Sequence, residues 1–269
     1  MATKTGVDTP GRASISEGHL RPDRWWIAPL LTFSGLMTFV VYATYRTFSQ
    51  ADYFVDGPGF SYLTPFASPC VTANCVPGSA HFGTWFGTFP QMIPLAIVTL
   101  TFILGFRLTC YYYRKAYYRS FWLSPPACAV PKPHGKYTGE TRFPLIMQNA
   151  HRYFFFAVVL VSLINTYDAV KSFHGTTGFG IGLGNIILVV NVVFLWSYTL
   201  GCHSCRHITA GRINHFSKHP VRYWLYQKAS VLNGKHMQLA WISLGTVMLT
   251  DFYIWQVAAG HITDLRFIG

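Results

Sequence analysis

Five long apolar runs constrain this chain more than anything else in it. They are Trp26–Phe48, Phe89–Tyr113, Ala150–Val170, Gly184–His203 and His236–Ala258. A helix needs about 20 mostly apolar residues to cross the ~30 Å hydrocarbon core of a bilayer. The runs are too long for core strands, and the alternating ~10-residue segments of a transmembrane barrel are absent. With no water to satisfy backbone groups in lipid, helices are the remaining choice. The reading is an all-α, polytopic membrane protein with a five-helix transmembrane bundle. Composition agrees, because only 11% of residues are charged, against ~25% in an average soluble protein. The net charge of +12 would point a soluble domain to nucleic acid. Here no nucleic-acid partner is expected, and the basic residues serve to orient the chain in the membrane.

The links between runs differ sharply in charge. Residues 1–25 carry Lys4, Arg12, Arg21 and Arg24, and the link 49–88 carries no Lys or Arg. Six basic residues fall in 114–149 and six in 204–235, against Lys171 alone in 171–183. Basic links stay inside, so the N-terminus is predicted cytoplasmic and the C-terminus external. Three segments follow: a cytoplasmic 1–25, a transmembrane domain 26–258 and an external tail 259–269. The first run is longer than a signal-peptide core and lacks a small-residue cleavage site after it, so it reads as a permanent anchor. Tyr111, Tyr112, Tyr113, Tyr117, Tyr118, Trp122, Tyr223, Trp224 and Tyr226 crowd the inner interface, as aromatic belts do.

The cysteines divide by compartment. Cys70 and Cys75 lie in an external link, where the oxidising side permits a disulfide. Cys110, Cys202 and Cys205 lie towards the reducing side, which leaves packing or metal binding. The string Gly201–His207, GCHSCRH, is the most informative. Its Cys202 and Cys205 are three apart, so a continuous helix would put both thiols on one face. His203 and His207 flank them as alternative ligands, with Cys110 as another. Antiparallel packing brings the inner ends of the third and fifth runs, with His151 and His236, to the same depth. Ionisable groups inside a span are costly and suggest a site. Two Cys and two His fit a Cys2His2 zinc site or a Rieske-type [2Fe–2S] cluster. The histidines alone fit axial ligation of haem b. The bland reading is that His151 and His236 end helices at the interface and that the thiols are packed.

The strings CHSCRH, FSKHPVRYW, NAHRYFFF and KHMQLAWISL, on the five-run pattern, resemble the membrane anchor of actinobacterial succinate dehydrogenase, complex II, of the mycobacterial type. The resemblance covers nearly the whole chain after residue 25. It implies a multi-pass protein of a bacterial plasma membrane, partnered by flavoprotein and iron–sulfur subunits and surrounded by membrane lipid. It implies a quinone, menaquinone or ubiquinone, as electron acceptor. It also implies a membrane-embedded Rieske-type cluster on Cys202, Cys205, His151 and His236, since the matched histidine pairs of two-haem anchors are not found here. By itself the chain has no chemistry on succinate; its enzyme role is that of one part of the assembly.

A quinone slot needs apolar walls and a few polar groups to hold the carbonyls and move protons. Near the inner ligands the candidates are Arg152, Tyr153, Ser204, Arg206, His207 and Trp241. Towards the outside they are Asp168, Asp251, Tyr253, Trp255 and Trp85. The plainer reading of the two aspartates is pairing with Arg46 or Lys171. Electron-transfer distance favours the inner slot. The basic HFSKHPVRYW and PKPHGKY stretches read as partner contacts.

Overall fold

Four of the five apolar runs fold, in whole or part, as single long helices; the second breaks in two. In a computed structural model, which describes residues 23–88, 90, 93–130 and 142–269 (of 142–147 the backbone only), α1 is Ile27–Ser49 and α4 is Arg142–Lys171. Helix α5 is Leu183–Leu200 and α8 is His236–Ala258. The first 22 residues and the PKPHGKY stretch lie outside the described residues. Ile27–Ser49, Gln148–Lys171 and Leu183–Leu200 are long and apolar enough to cross a membrane, and the broken second run makes a fourth when counted as one. Helix α8 matches α1 in length, with 23 residues, but carries more polar side chains. Ser243, Thr250 and Asp251 are all turned inward and fully buried, so the polarity of α8 is hidden in the bundle, mainly against α5.

The second run, expected as one span to Tyr113, instead forms α2 (Ala96–Thr109) and α3 (Tyr111–Phe121), bent by 78°. Cys110 is the joint, extended at φ −67°, ψ 130°. Beyond it the sequence turns to Tyr-Tyr-Tyr-Arg-Lys, an aromatic and basic segment suited to the interface rather than the hydrocarbon. The fourth run also stops early. Helix α5 ends at Leu200, Cys202 is extended at φ −67°, ψ 147°, and the short α6 (His203–Ala210) begins after it. Helix α7 (Pro220–Gly234), with proline at its first turn where the missing N–H costs nothing, packs against α6.

The opposite end is closed by small antiparallel pairs. Strands β1 (Phe54–Gly57) and β2 (Phe60–Leu63) form a hairpin; Gly59, at φ +70°, supplies the positive φ that a Pro-Gly turn requires. Strands β3 (His174–Gly175) and β4 (Gly178–Phe179) pair locally, and β5 (Ile181–Gly182) pairs with β6 (Arg266–Ile268) of the tail. Cys70 and Cys75 are joined by a disulfide in this cap. Asp264 bolts it to the bundle, accepting from Tyr62 Oη at 2.6 Å, Tyr253 Oη at 2.6 Å and the Gly184 N–H at 3.0 Å. Burial and the neighbouring Asp264 carboxylate hold the Tyr62 phenol well above its ordinary pKa.

Deep at this end, Arg46 and Asp251 are both 0% exposed and form an ion pair, Nε to Oδ2 at 2.8 Å. Tyr42 Oη donates to the same carboxylate oxygen at 2.5 Å, and Thr64 Oγ1 donates to the other. Arg46 also donates to the Ala51 carbonyl at 3.0 Å and lies over the Tyr53 and Trp255 rings. Every charge in this cluster is met.

Candidate metal centre

Both helix joints open onto one cavity of about 590 Å³ at the basic end of the bundle. Because Cys110 and Cys202 leave their helices as extended residues, their side chains reach this space from the α2–α3 and α5–α6 corners. His151, in α4, and His236, the first residue of α8, line it as well.

The four side chains meet in two pairs. His151 Nε2 lies 2.9 Å from Cys202 Sγ, and His236 Nε2 lies 3.4 Å from Cys110 Sγ. The other nitrogen of His151 is set by Thr109. The Thr109 hydroxyl donates to the Gly105 carbonyl at 2.7 Å, so its oxygen accepts from His151 Nδ1, 2.8 Å away. That assignment leaves the Nε2 lone pair directed at Cys202, the way a partner on one ring nitrogen orients a ligating histidine. The His151 ring stacks on Phe106 at 4.6 Å and the His236 ring on Tyr198 at 5.0 Å. The buried Nδ1 of His236 has no hydrogen-bond partner among the described residues. Cys202 Sγ also accepts from the Ser204 N–H at 3.3 Å.

Beside this centre lies Arg107, only 5% exposed. It donates to Tyr113 Oη at 2.6 Å, Ser243 Oγ at 3.0 Å and the Ala240 carbonyl at 3.3 Å. Its guanidinium sits 4.8 Å from the Tyr198 ring, whose other neighbour is His236. All its hydrogen-bond partners are neutral, and among the described residues no carboxylate forms an ion pair with it. A buried cation of this kind favours anionic groups nearby.

The remaining predicted residues distribute as follows. Cys205 does not line the cavity; it packs in the core with Phe106, Phe155 and Ala229. The continuous helix expected through both cysteines is not formed, because Cys202 stands before the first turn of α6 rather than inside it. His203, Ser204 and Arg152 line the cavity, while His207 and Tyr153, the latter 75% exposed, do not. Arg206 is directed to α7, donating to Tyr226 Oη at 2.8 Å, Ser230 Oγ at 3.1 Å and Asn233 Oδ1 at 3.1 Å. This contact lowers the Tyr226 pKa. Trp241 Nε1 donates to Tyr112 Oη at 2.6 Å, and Tyr112 lines the cavity. Of the outer candidates, Asp251 and Tyr253 are engaged as described, Trp255 underlies Arg46 and Trp85 is exposed. Asp168 is buried in α4, with neither carboxylate oxygen hydrogen-bonded among the described residues. Sequence reasoning ranked Cys110 as an alternate and missed Thr109 and Arg107. The change from apolar to basic character just after Cys110 was the available signal.

Each candidate group makes different demands on this donor set. Among the described residues, no three His, Cys, Asp or Glu side chains converge on a single point. A lone zinc ion, which takes three or four protein ligands, is therefore not matched by this arrangement. Haem would need an imidazole nitrogen facing the macrocycle, whereas both Nε2 atoms face sulfur. A Rieske-type two-iron cluster takes two thiolates on one iron and two imidazoles on the other; the donor types match it, while the contacts here pair each imidazole with one thiol.

Comparison with known proteins adds the following. The sequence profile of actinobacterial succinate dehydrogenase subunit SdhC matches residues 27–260. A chain of the Mycobacterium smegmatis Sdh1 complex in the apo form is 64% identical, with a TM-score of 0.87 over 98% of this chain and 99% of that one. A comparison with curated proteins finds no match.

Proposed function

This chain belongs to the family of actinobacterial succinate dehydrogenase subunit SdhC, a multi-pass membrane anchor, and on that premise we propose that it relays electrons from a docked iron–sulfur subunit to a membrane quinone. The flavoprotein subunit of the same complex would oxidise succinate. The basic, cavity-bearing end faces the cytoplasm in this reading, and the disulfide-bridged cap faces outward. The positive-inside bias and the oxidising side needed by a disulfide agree on that orientation.

We assign the cavity ligands as Cys110, Cys202, His151 and His236, holding a Rieske-type [2Fe–2S] cluster. The observation that carries this is the meeting of two histidine–cysteine pairs at one cavity. When bound, such a group supplies one-electron transfer at about −150 to +300 mV, far above plant-type ferredoxins. The chain's own residues do the rest. Thr109 holds the His151 tautomer, Phe106 and Tyr198 hold the two ring planes, and Arg107 supplies positive charge on the Cys110 and His236 side. The apolar cluster around Phe106, Phe155 and Tyr198 keeps water from that side.

The quinone head group is assigned to the polar remainder of the same cavity. Arg152 and Ser204 there present donors to a carbonyl, and Tyr112, fixed by Trp241, presents its phenol. Tyr153 and Arg206, outside the lining, serve this site only indirectly.

The test is electron paramagnetic resonance on the reduced complex, with iron, sulfide and haem assays. A rhombic signal of low average g that disappears in Cys110→Ser and in Cys202→Ser, but persists in Cys205→Ser, is the expected result. Quinone reduction should fall with the signal while succinate oxidation by an artificial soluble acceptor continues. A haem spectrum without that signal, or loss of the cluster in Cys205→Ser alone, would overturn the assignment.

A further inference from the structure

Residues 57–106 contain no Asp, Glu, Lys or Arg, and most of that stretch precedes α2, in the link read above as external. A link standing in water would carry charge on its surface. Helix α2 is also short. Its 14 residues rise about 21 Å, against ~30 Å of hydrocarbon. Its inner end is fixed at the redox cavity through Thr109, at the level where α8 begins with His236. Towards its outer end, Ala96 and Leu100 pack with Val247 of α8 and with the buried Phe66. From Val247, α8 runs on to Ala258, roughly 16 Å further. The segment ahead of α2 therefore lies at a depth that α8 crosses as helix. The Thr99 hydroxyl donates to the Pro69 carbonyl at 3.1 Å and pins that segment in place.

The loop 82–87 hangs on this segment with much of its backbone satisfied. The Phe82 N–H donates to the Cys70 carbonyl at 2.9 Å, the Ala73 N–H to the Gly87 carbonyl at 2.8 Å, and the Gly87 N–H to the Thr84 carbonyl at 3.1 Å. Trp85 Nε1 donates to the Phe82 carbonyl at 2.5 Å, a closure that Gly83 permits at φ +92°. Groups paired in this way avoid the penalty of leaving water. The rings face outward instead, with Trp85 80% and Phe82 53% exposed. Ile93, Ile97 and Phe102 are exposed beyond them, so the apolar surface continues into the lipid-facing side of α2.

We propose that the loop 82–87 is seated in the outer leaflet of the bilayer. Trp85 and Phe82 lie among the acyl chains just below the head groups, a level at which tryptophan is enriched. The loop thereby completes the crossing that α2 leaves short, and its lack of charge and its internally bonded backbone serve that position.

The experiment uses the intact complex in vesicles of phosphatidylcholine and phosphatidylglycerol. The exposed Cys128 is changed to Ser, and a nitroxide is attached at Trp85→Cys. Collision of the label with oxygen, which concentrates in hydrocarbon, is compared with collision with a water-soluble nickel chelate. Ile97→Cys on α2 is the lipid reference, and Thr263→Cys, exposed in the tail, is the water reference. The label at position 85 should favour oxygen, as at 97, and the preference should reverse at 263. Thr84→Cys keeps both rings and should give the same result, so the outcome does not depend on losing Trp85. Nickel access at 84 and 85 equal to that at 263 would place the loop in water and overturn the proposal. Poor access to both reagents would also overturn it, and would point to a second copy of the chain covering this face.

Discussion

Two buried arginines, one towards each end of the bundle, are treated in opposite ways. Arg46 is enclosed with a carboxylate, and the hydroxyls of Tyr42 and Thr64 complete the shell of Asp251. Arg107 is enclosed with neutral oxygens and an aromatic face beside the cavity of the two thiols, and it lines the neighbouring apolar groove. The outer cluster is self-contained and therefore structural. The inner one has no carboxylate of its own among the described residues; under the proposed assignment, cluster-bound thiolates would supply the counter-charge. Burial of an ion is expensive in either place; what differs is whether the chain itself supplies the counter-charge.

This contrast can be broken at either end. Asp251→Ala strands Arg46 without a partner in the bundle, and removing one member of a buried pair costs about 3–5 kcal/mol. The complex should lose thermal stability by that measure in a detergent melt, with an unchanged paramagnetic signal in the material that survives. Adding Arg46→Met should recover much of the loss; if it does not, the pair contributes more than charge balance. At the inner end, Thr109→Val removes the acceptor for His151 Nδ1. Supporting hydrogen bonds of this kind are worth about 10–100-fold in metal affinity, so iron should be released at correspondingly lower chelator concentration while the melt barely moves.

Arg107→Met sharpens the comparison further, because it should do what Asp251→Ala does not. Loss of a positive charge disfavours the more negative, reduced state, so the midpoint potential should fall, by about 59 mV for a tenfold change in a one-electron equilibrium. A redox titration followed by paramagnetic resonance reads this directly, and an unchanged potential would show Arg107 to be a packing residue. The smallest effect belongs to the cap. Tyr62→Phe removes one donor from Asp264, which keeps its bonds from Tyr253 and Gly184, so stability should drop by about 1 kcal/mol and the potential should not change.

Much of this was legible in the sequence, and the reason is the bilayer. Lipid demands long apolar runs, so the helices α1, α4, α5 and α8 announce themselves. Charge asymmetry set His151, His236 and Cys202 at one end and Cys70 and Cys75 at the other. The pairing of Asp251 with Arg46 followed from the cost of a lone carboxylate. The joints were not legible. Hydropathy runs smoothly through Leu-Gly-Cys-His, and the change to aromatic and basic residues after Cys110 marks the end of an apolar run but not a bend, because a single extended residue leaves no trace in a window average. Without them, Cys202 and Cys205 read as one helical face, whereas Cys202 stands outside α6 and Cys110 lines the cavity. Strands of two to four residues were invisible for a different reason: they are too short to show a period, and β5 finds its partner only in the distant tail.

The contribution of α8 has a consequence for the order of events during synthesis. Among the described residues α8 is the last α-helix to be made, and it brings His236, the Ala240 carbonyl and Ser243. Until it is inserted, Cys110 has no imidazole beside it and Arg107 lacks two of its three hydrogen-bond partners. A nascent chain that has already placed α1 to α5 in the membrane thus carries Cys110, His151 and Cys202 at an unfinished cavity that still lacks His236. Under the proposed assignment, loading with metal would wait for His236 and the closing of the bundle.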